Sequence, residues 1–409
     1  MPTPGRRTLG ALSAGELEGR RVLVRVDFNV PLEGEGAGVR ISSDARIRAA
    51  LPTVHHLLDF HAVVVLASHL GRPKGRRVSE LSLEPVARCV EDHLGREISF
   101  LPEPFDERGV RLVQDGQGGD VYLLENLRYE PGETANDPEF SRRLAGFGEV
   151  FVQDAFGTCH RSHASTVGVP EHLHPCVAGL LVEQELIAFE RLLEPEPPFV
   201  AILGGAKIAG KLETVRGLAE RCERVCLGGG MANTFLLAAG HELGDSLAEK
   251  DLIGEARALL DAHSETLVLP VDAVVARHVN ADAERKTVPI DRVERGWKIL
   301  DIGPGTVRSF EAELKRARTV FWNGPLGVFE IPPFDEGTRA IAARLAESTE
   351  RGAYTATGGG DSIAALEAAG MAGSVSHVST GGGAALDLVS GLTLPGIEAL
   401  DPEHEEWSG

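Results

Sequence analysis

The chain has few cysteines and few lysines, and it lacks any long hydrophobic run. Its five cysteines are scattered and form no Cys-x-x-Cys pair, which argues against a disulfide framework or a zinc-binding motif. No run of 18 apolar residues occurs, so no membrane-spanning helix is predicted. The 41 basic and 61 acidic residues give a net charge of −20. This charge repels nucleic acid and anionic membranes, and we expect small-molecule partners instead.

The unpaired cysteines fit a reducing environment, and we expect a cytoplasmic protein. Arg6 and Arg7 look like the start of a twin-arginine export signal, but Glu16 and Glu18 interrupt the apolar stretch that such a signal needs. The acidic, lysine-poor composition has two explanations, GC-rich coding or adaptation to high salt.

Short segments rich in valine, isoleucine and leucine alternate with helix-length segments along the chain. This alternation is typical of βαβ units, whose parallel sheet is buried on both faces. The predicted strands are 22–26, 62–67, 121–124 and 150–152 in the first half, and 199–203, 224–227, 265–269, 319–322, 353–357 and 377–378 in the second.

A predicted helix at 183–193 and a stiff, proline-rich segment at 194–198 separate the two sets of strands. The sequence therefore predicts an α/β fold with two doubly wound, Rossmann-like parallel-sheet domains, residues 1–182 and 199–390, joined by a hinge at 183–198. We expect a cleft between the domains, with ligand loops at the carboxyl ends of the strands. The tail, 391–409, ends in an acidic stretch that is either disordered or packed on the first domain.

Polar and basic residues follow the predicted strands of the first half. Asp27 and Asn29 follow the first strand, and Arg46 lies where a helix should begin. The other candidates in this half are His69, Arg72, Arg128, His160, Arg161 and His163. Because strand ends of one sheet converge, this cluster predicts a site for phosphate or carboxylate. A surface ion pair would explain any single arginine, and structural roles remain the first explanation for the histidines.

The second half has glycine clusters after its strands, at 204–205, 228–230, 303–305, 358–360 and 381–383. The cluster at 358–360 precedes a predicted helix at 363–369, an arrangement that forms a phosphate-binding helix start. Asp361 beside it is a candidate Mg²⁺ ligand.

The segment from Gly205 to Lys211 nearly matches a P-loop. Leu212 breaks the match because that motif needs a serine or threonine hydroxyl for Mg²⁺ at this position. Lys207 and Lys211 keep the i,i+4 spacing that would place both on one face of a helix, where two ammonium groups suit a moving phosphoryl group.

Nine motifs, in order along the chain, resemble those of bacterial members of the phosphoglycerate kinase family. They are VRVDFNVP at 24–31, SHLGRP at 68–73, LENLR at 124–128, DAFGTCHR at 154–161, GGAK at 204–207, WNGP at 322–325, GVFE at 327–330, GGGDS at 358–362 and STGGG at 379–383. The resemblance covers essentially the whole chain. It implies a hinge-bending monomer that transfers the acyl phosphate of 1,3-bisphosphoglycerate to Mg-ADP, giving 3-phosphoglycerate and ATP.

The resemblance also implies a role for each matching residue. The first domain would bind phosphoglycerate through Asp27, Phe28, Asn29, Arg46, His69, Leu70, Gly71, Arg72, Arg128 and Arg161. The second would bind nucleotide through Gly205, Lys207, Lys211, Asn323, Glu330, Gly358, Gly359, Gly360, Asp361 and Ser362. Asp361 would contact Mg²⁺, and Arg46 and Lys211 would be catalytic, flanking the transferring phosphoryl group.

Two other functions compete with the kinase. A P-loop hydrolase fails at Leu212, and a non-catalytic phosphosugar- or nucleotide-binding protein on the same fold would be favoured only if Arg46, Lys211 or Asp361 were missing. One departure from the family pattern bears on rate, because Gly210 replaces the usual aspartate before the second lysine. This change implies a looser placement of Lys211.

Overall fold

A computed structural model describes residues 5–34 and 39–403. The described residues form two compact units: the first contains residues 5–34, 39–187 and 393–403, and the second contains residues 188–392. Among the described residues, no helix is both long and apolar enough to cross a bilayer. Residues 404–409, the end of the predicted tail, lie outside the described part of the chain.

The first unit is built on a parallel sheet. Its strands are β1 (Arg21–Arg25), β2 (Leu32–Glu33), β3 (Arg40–Ile41), β4 (Val63–Ala67), β5 (Ser99–Leu101), β6 (Val121–Leu124), β7 (Val150–Gln153) and β8 (Cys176–Ala178). Its helices are α1 (Ala14–Leu17), α2 (Ala45–Asp59), α3 (Glu84–Leu94), α4 (Glu107–Gln114), α5 (Pro131–Ala135), α6 (Pro138–Ala145) and the first half of α7 (Leu180–Leu193). Shorter 3₁₀ turns include Leu127–Tyr129 and Phe156–Thr158.

Six of these strands pair in the order β5-β6-β4-β1-β7-β8, all parallel. The chain moves from β1 to one side of the sheet and later returns to the other side, so the switch in direction lies at β1. Ligand loops of doubly wound sheets lie at this switch. The strands are buried on both faces, as Val22 and Val24 show on one face and Leu23 and Val65 on the other.

The second unit repeats this design. Its strands are β9 (Phe199–Leu203), β10 (Arg224–Leu227), β11 (Leu267–Val268), β12 (Asp272–Ala276), β13 (Arg285–Pro289), β14 (Lys298–Ile302), β15 (Thr319–Asn323), β16 (Tyr354–Gly358) and β17 (His377–Ser379). Its helices are α8 (Leu212–Arg221), α9 (Gly229–Ala238), α10 (Ile253–Ala262), α11 (Pro304–Leu314), α12 (Glu336–Glu350), α13 (Gly360–Ala368) and α14 (Gly382–Val389).

Six of its strands form a second parallel sheet, in the order β11-β10-β9-β15-β16-β17. The switch here lies between β9 and β15. The predicted fold class is confirmed, and each of the ten predicted strands is found within two residues of its predicted ends. The sequence analysis missed the edge strands β5 and β8, and the antiparallel sheet β13-β12-β14.

Helix α7 contains the predicted 183–193 helix and begins three residues earlier. The Asp154 carboxylate accepts hydrogen bonds from its first turn, from Leu181 N at 2.9 Å and Val182 N at 3.4 Å. The Thr53 hydroxyl also hydrogen-bonds to this buried carboxylate. Burial raises the pKa of Asp154 to about 7 despite these hydrogen bonds.

The segment after residue 392 belongs to the first unit. It contains the short helix α15 (Pro395–Glu398). Gly396 N donates to Cys159 O at 2.9 Å, and the Arg6 guanidinium donates to Leu400 O at 2.7 Å. The backbone of Arg6 also bridges to that of Pro402.

Candidate active site

The loop after β1 carries the first two candidate residues of the site. The Asp27 carboxylate accepts a hydrogen bond from Asn29 N at 3.2 Å and pairs with the Arg46 guanidinium at 2.9 Å. Asn29 Oδ1 accepts from Gly71 N at 2.9 Å, which joins this loop to the one after β4. Arg46 lies in the first turn of α2, as predicted. The structure therefore brings these residues together from three segments of the chain.

Buried polar groups hold the loop after β4 in place. Ser68 Oγ accepts from Phe28 N at 2.8 Å, and Asn126 Nδ2 donates to Leu70 O at 2.7 Å. The Phe28 and Leu70 side chains are buried in the core. Of these two residues, only the main chain is thus placed to meet a ligand. Gly71 adopts φ +61°, a left-handed conformation that glycine tolerates best.

Some hydrogen-bond donors of Arg128 have no acceptor among the described residues. Its Nη1 donates to Gly71 O at 2.8 Å, while Nε and Nη2 are buried and have no hydrogen-bond partner among the described residues. Burial, with the charges of Arg161 and Arg25 nearby, lowers its pKa to about 10. Because unsatisfied buried donors are costly, this guanidinium is suited to receive an anion.

A fully buried arginine that sequence reasoning left without a role supports this cluster. Arg25 Nε donates to Ser165 Oγ at 2.8 Å, and Ser165 donates in turn to the buried Glu133 carboxylate at 2.7 Å. Nη2 of Arg25 lies 3.2 Å from His69 Nδ1. A guanidinium can only donate, so Nδ1 of His69 accepts and the ring hydrogen lies on Nε2. Burial and then Arg25 hold the pKa of His69 well below its usual value.

The remaining candidates of this half lie after β7 and β4. Arg161 donates from Nε to His160 Nε2 at 3.1 Å. Burial, with nearby arginines, lowers the pKa values of His160 and His163 to about 4, so both rings are neutral near pH 7. Arg72 is exposed, and its charge acts on Arg161. The structure therefore brings the predicted arginines and histidines into one cluster, in which positive groups repel one another and attract an anion.

In the second unit, the loop after β9 lies at the topological switch. Gly205 adopts φ +115° and donates from its backbone N–H to Pro325 O at 2.8 Å, which joins this loop to the one after β15. The predicted helical spacing of Lys207 and Lys211 is wrong, because the segment is a loop and α8 begins only at Leu212. Gly210, with φ +75°, bends the chain away from a helical path.

Lys211 is half-buried beside the backbone of this loop. Its Nζ lies 3.7 Å from the position that a side chain on Gly205 would occupy. Burial lowers the pKa of Lys211, and the charge of Asp361 opposes that shift. The loop is fixed by Glu249, whose carboxylate accepts hydrogen bonds from Ile208 N and, at 2.9 Å, from Ala209 N. Nothing in the sequence around Glu249 marked it for this role.

Asn323 and Ser362 hold the loops after β15 and β16 together. Asn323 Nδ2 donates to Gly358 O at 2.6 Å, and Ser362 Oγ accepts from Gly324 N at 2.6 Å. Both side chains are buried. Gly359 adopts φ +101°, and α13 begins at Gly360, three residues earlier than predicted. The first turn of α13, like any helix start, has N–H groups without an intrahelical partner, and it carries the exposed carboxylate of Asp361.

A cavity of about 520 Å³ adjoins these loops. Its wall is mainly apolar, and Asp245, Lys298, Asp301, Glu330 and Asp361 add polar groups. The other lining residues are Gly205, Ala206, Gly229, Gly230, Asn233, Leu247, Val279, Ile299, Leu300, Pro325, Leu326, Gly327 and Val328. An apolar cavity with a few polar groups at its edge suits a planar base joined to a charged tail. Several lining residues come from the antiparallel region that sequence analysis missed.

The chain matches known proteins over nearly all of its length. The family model of phosphoglycerate kinase matches residues 12–392. A phosphoglycerate kinase of Synechococcus elongatus is 48% identical over 400 residues, covering 97% of this chain and 99% of that protein. One of Chloroflexus aurantiacus is 49% identical over 391 residues, covering 93% and 96%.

Solved structures agree with these matches. The structure of phosphoglycerate kinase from Coxiella burnetii superposes with a TM-score of 0.81 at 37% identity, covering 96% of this chain and 98% of that one. The sheets, the site loops and these relatives lead to one conclusion: the chain belongs to the phosphoglycerate kinase family and is a phosphotransferase.

Proposed function

We propose that the phosphoglycerate kinase activity of this chain is divided between its units, with phosphoglycerate on the first and nucleotide on the second. The reaction transfers the acyl phosphate of 1,3-bisphosphoglycerate to ADP, and it runs in both directions. The observation that carries this assignment is the arginine cluster around Arg128, whose two unpartnered nitrogens are buried donors without an acceptor among the described residues. A ligand with both a phosphate and a carboxylate supplies the acceptors that the cluster lacks.

Within that cluster, the exposed Arg72 and the half-buried Arg46 and Arg161 are the cations that grip phosphate and carboxylate. His69, neutral and with its hydrogen on Nε2, donates a hydrogen bond without changing charge. Asp27 and Asn29 bind the hydroxyl end of the substrate. Arg25, itself held by Ser165 and Glu133, keeps the His69 ring in place.

Nucleotide fits the second unit for two reasons. The cavity beside Gly205 has an apolar wall for the base, and Glu330, which lines it, would accept hydrogen bonds from ribose hydroxyls. The glycine loop 358–360 and the first turn of α13 present N–H groups for phosphate oxygens. Lys207 and Lys211 add positive charge for the same phosphates.

The residues present also fit Mg²⁺ bound with the nucleotide. Asp361 offers an exposed carboxylate beside the proposed phosphate site, and Mg²⁺ typically takes one or two carboxylates together with phosphates and water. When bound, the ion would neutralise negative charge on the phosphates. No base is needed, because the carboxylate of phosphoglycerate is already a nucleophile in the reverse direction. Arg46 and Lys211 therefore act by stabilising charge on the oxygens of the transferring group and by keeping it in line.

The chain has five free cysteines, four of them buried, which supports a reducing compartment such as the cytoplasm. We propose that the active species is a monomer, since both substrate sites are assigned to one chain.

The test is consumption of Mg-ATP that depends on 3-phosphoglycerate, followed through a coupled dehydrogenase at low and at high salt. Turnover that needs both substrates is the expected result. Binding of both ligands without turnover at either salt would favour the non-catalytic alternative. Binding of phosphoglycerate that survives Arg128→Ala unchanged would overturn the assignment of its site.

A further inference from the structure

Three side chains with different metal-binding atoms meet on the first unit, outside the residues discussed above. Cys89 and His93 lie on successive turns of α3, and Asp44 precedes α2. The Asp44 carboxylate, the Cys89 thiol and a ring nitrogen of His93 lie within 4.8 Å of one another. His93 Nε2 is 2.8 Å from Asp44 Oδ2.

The arrangement has the features of an open metal site. A ligand pair at i and i+4 on one helix face directs both side chains to the same point, and the third ligand comes from a second helix start. Asp44 and Cys89 are half-buried and His93 is exposed, so an ion and a water molecule can reach the group from solvent. Arg48 holds Asp44 Oδ1 at 3.0 Å, which orients Oδ2 toward His93. Such support from a neighbouring group is typical of metal sites.

A second group of the same residue types does not have these features. His174, Cys176 and Asp401 are also close together, but their donors are already in use. Asp401 accepts from His174 at 2.9 Å and from Cys176 N at 2.8 Å, and the buried Cys176 thiol donates to Leu173 O. That group ties the chain's end to the first unit, and it serves as an internal comparison.

We propose that Asp44, Cys89 and His93 bind one divalent transition metal ion of borderline softness, with Zn²⁺ as the preferred ion and water as its fourth ligand. A thiolate and an imidazole favour Zn²⁺ or Co²⁺ over the hard ion Mg²⁺, so the site is distinct from that of the nucleotide-bound metal. Binding replaces the hydrogen bond between His93 and Asp44 with two metal bonds, and the hydrogen on His93 Nε2 leaves to solvent while the neutral ring keeps or takes up its hydrogen on Nδ1. Binding also releases the thiol proton of Cys89 to solvent, because only the thiolate is a ligand.

The experiment titrates Co²⁺ into the metal-free, full-length chain under reducing conditions, with Mg²⁺ in excess. A thiolate bound to Co²⁺ gives a sulfur-to-metal charge-transfer absorption, which is a readout independent of activity. We expect one equivalent of Co²⁺ to produce this band and one equivalent of Zn²⁺ to remove it. Cys89→Ser should abolish the band, and His93→Gln should weaken Co²⁺ binding by about tenfold or more.

Two matched variants serve as controls. Cys176→Ala removes the thiol of the comparison group, and His55→Ala removes an exposed histidine of α2. Both should leave the band and its midpoint unchanged. The proposal is overturned if the native chain gives no band, or if the band survives Cys89→Ser. Circular dichroism that matches the native spectrum would show that each variant is folded.

Discussion

Arg46 and Asp27 are each other's partners, with Nη1 of the guanidinium 2.9 Å from Oδ2 of the carboxylate. The pair is partly exposed, since about a third of the Arg46 side chain is accessible, so the contact itself contributes little to stability. Both residues are proposed to bind the substrate. In the absence of a ligand, the carboxylate holds the arginine beside the loop after β1.

Replacing Arg46 with alanine should lower kcat by several powers of ten and leave KM nearly unchanged. The reason is that a contact formed mainly in the transition state affects turnover rather than ground-state binding. Steady-state kinetics with 3-phosphoglycerate and Mg-ATP measures both constants. Arg48→Ala, two residues along α2, is the control and should keep native turnover. A change confined to KM would make Arg46 a ground-state binder.

Replacing Lys211 with alanine should have a similar effect on turnover. Burial lowers the pKa of this ammonium group, and the charge of Asp361 opposes that shift. Loss of the ammonium group would remove a pre-positioned positive charge that stabilises the oxygens of the transferring phosphoryl group. Lys315→Ala is the control, since Lys315 forms a surface ion pair with Glu311 at 2.7 Å. Near-native turnover in the Lys211 variant would exclude the catalytic role.

Gly210 offers a test of how Lys211 is placed. The family pattern implied a looser loop, yet at φ +75° a glycine is one of the few residues that fit without strain. Within the described part of the chain, no neighbouring atom lies within 4 Å of the position that a Cβ atom at Gly210 would occupy. A substitution there would therefore act through the backbone conformation and not through a steric clash. Gly210→Asp should therefore be tolerated, whereas Gly210→Val should cost about 1–2 kcal/mol locally and reduce kcat. Equal kcat values for the two variants would contradict this account.

The His69 ring should stay neutral in the ligand-free protein at every pH near neutrality. Its burial disfavours the charged form, and the charges of Arg25, Arg128 and Arg161 act in the same direction. Nuclear magnetic resonance can follow the ring protons between pH 5.5 and 8, with His69→Gln used to assign the signal. No titration is expected, and a midpoint near the ordinary value of about 6.5 would be inconsistent with the described cluster.

Asp154 should make the first unit less stable as pH rises. Its folded pKa of about 7 lies above the unfolded value of about 3.9, so both states hold the proton in strong acid. Between these two pKa values only the folded state keeps the proton. The stability that this proton supplies is lost as the pH rises toward 7, and above pH 7 the stability no longer changes with the titration of Asp154. From pH 5 to 8 the loss is roughly 3 kcal/mol as an upper value, at about 1.4 kcal/mol per pKa unit.

Urea unfolding at pH 5 and pH 8 measures this effect. The native chain should lose more stability between the two values than Asp154→Asn does, because asparagine does not titrate. Asp115→Asn, which changes an exposed carboxylate of the same unit, should behave like the native chain. Identical pH dependence in all three proteins would show that Asp154 is ionised throughout.

The sequence was most informative where a buried strand is followed by polar or glycine residues. The strands before Asp27, His69 and Asn323 are apolar on both faces, and this pattern belongs to central strands of parallel sheets. The edge strand β5 has only three residues, and β13 alternates between exposed and half-buried positions, so neither produced that signal.

The residues that sequence analysis missed depend on contacts between distant parts of the chain. Arg25 lies inside a strand, and its partner Ser165 follows 140 residues later, so nothing local shows that the charge is buried and paired. The same holds for Glu249, which fixes a loop about 40 residues before it. The error at Lys207 and Lys211 has another cause, since spacing alone does not report the positive φ of Gly210.

The return of residues 393–403 to the first unit determines the order in which the molecule can be completed during synthesis. The second unit is one continuous segment, residues 188–392, and all of its strands have been translated before the last part of the first unit exists. During synthesis, Arg6 therefore cannot bind Leu400, and the carbonyl of Cys159 cannot bind Gly396, until more than 200 residues have been added after Cys159. A nascent chain that stops at residue 392 therefore leaves the first unit without its contacts to Gly396 and Leu400.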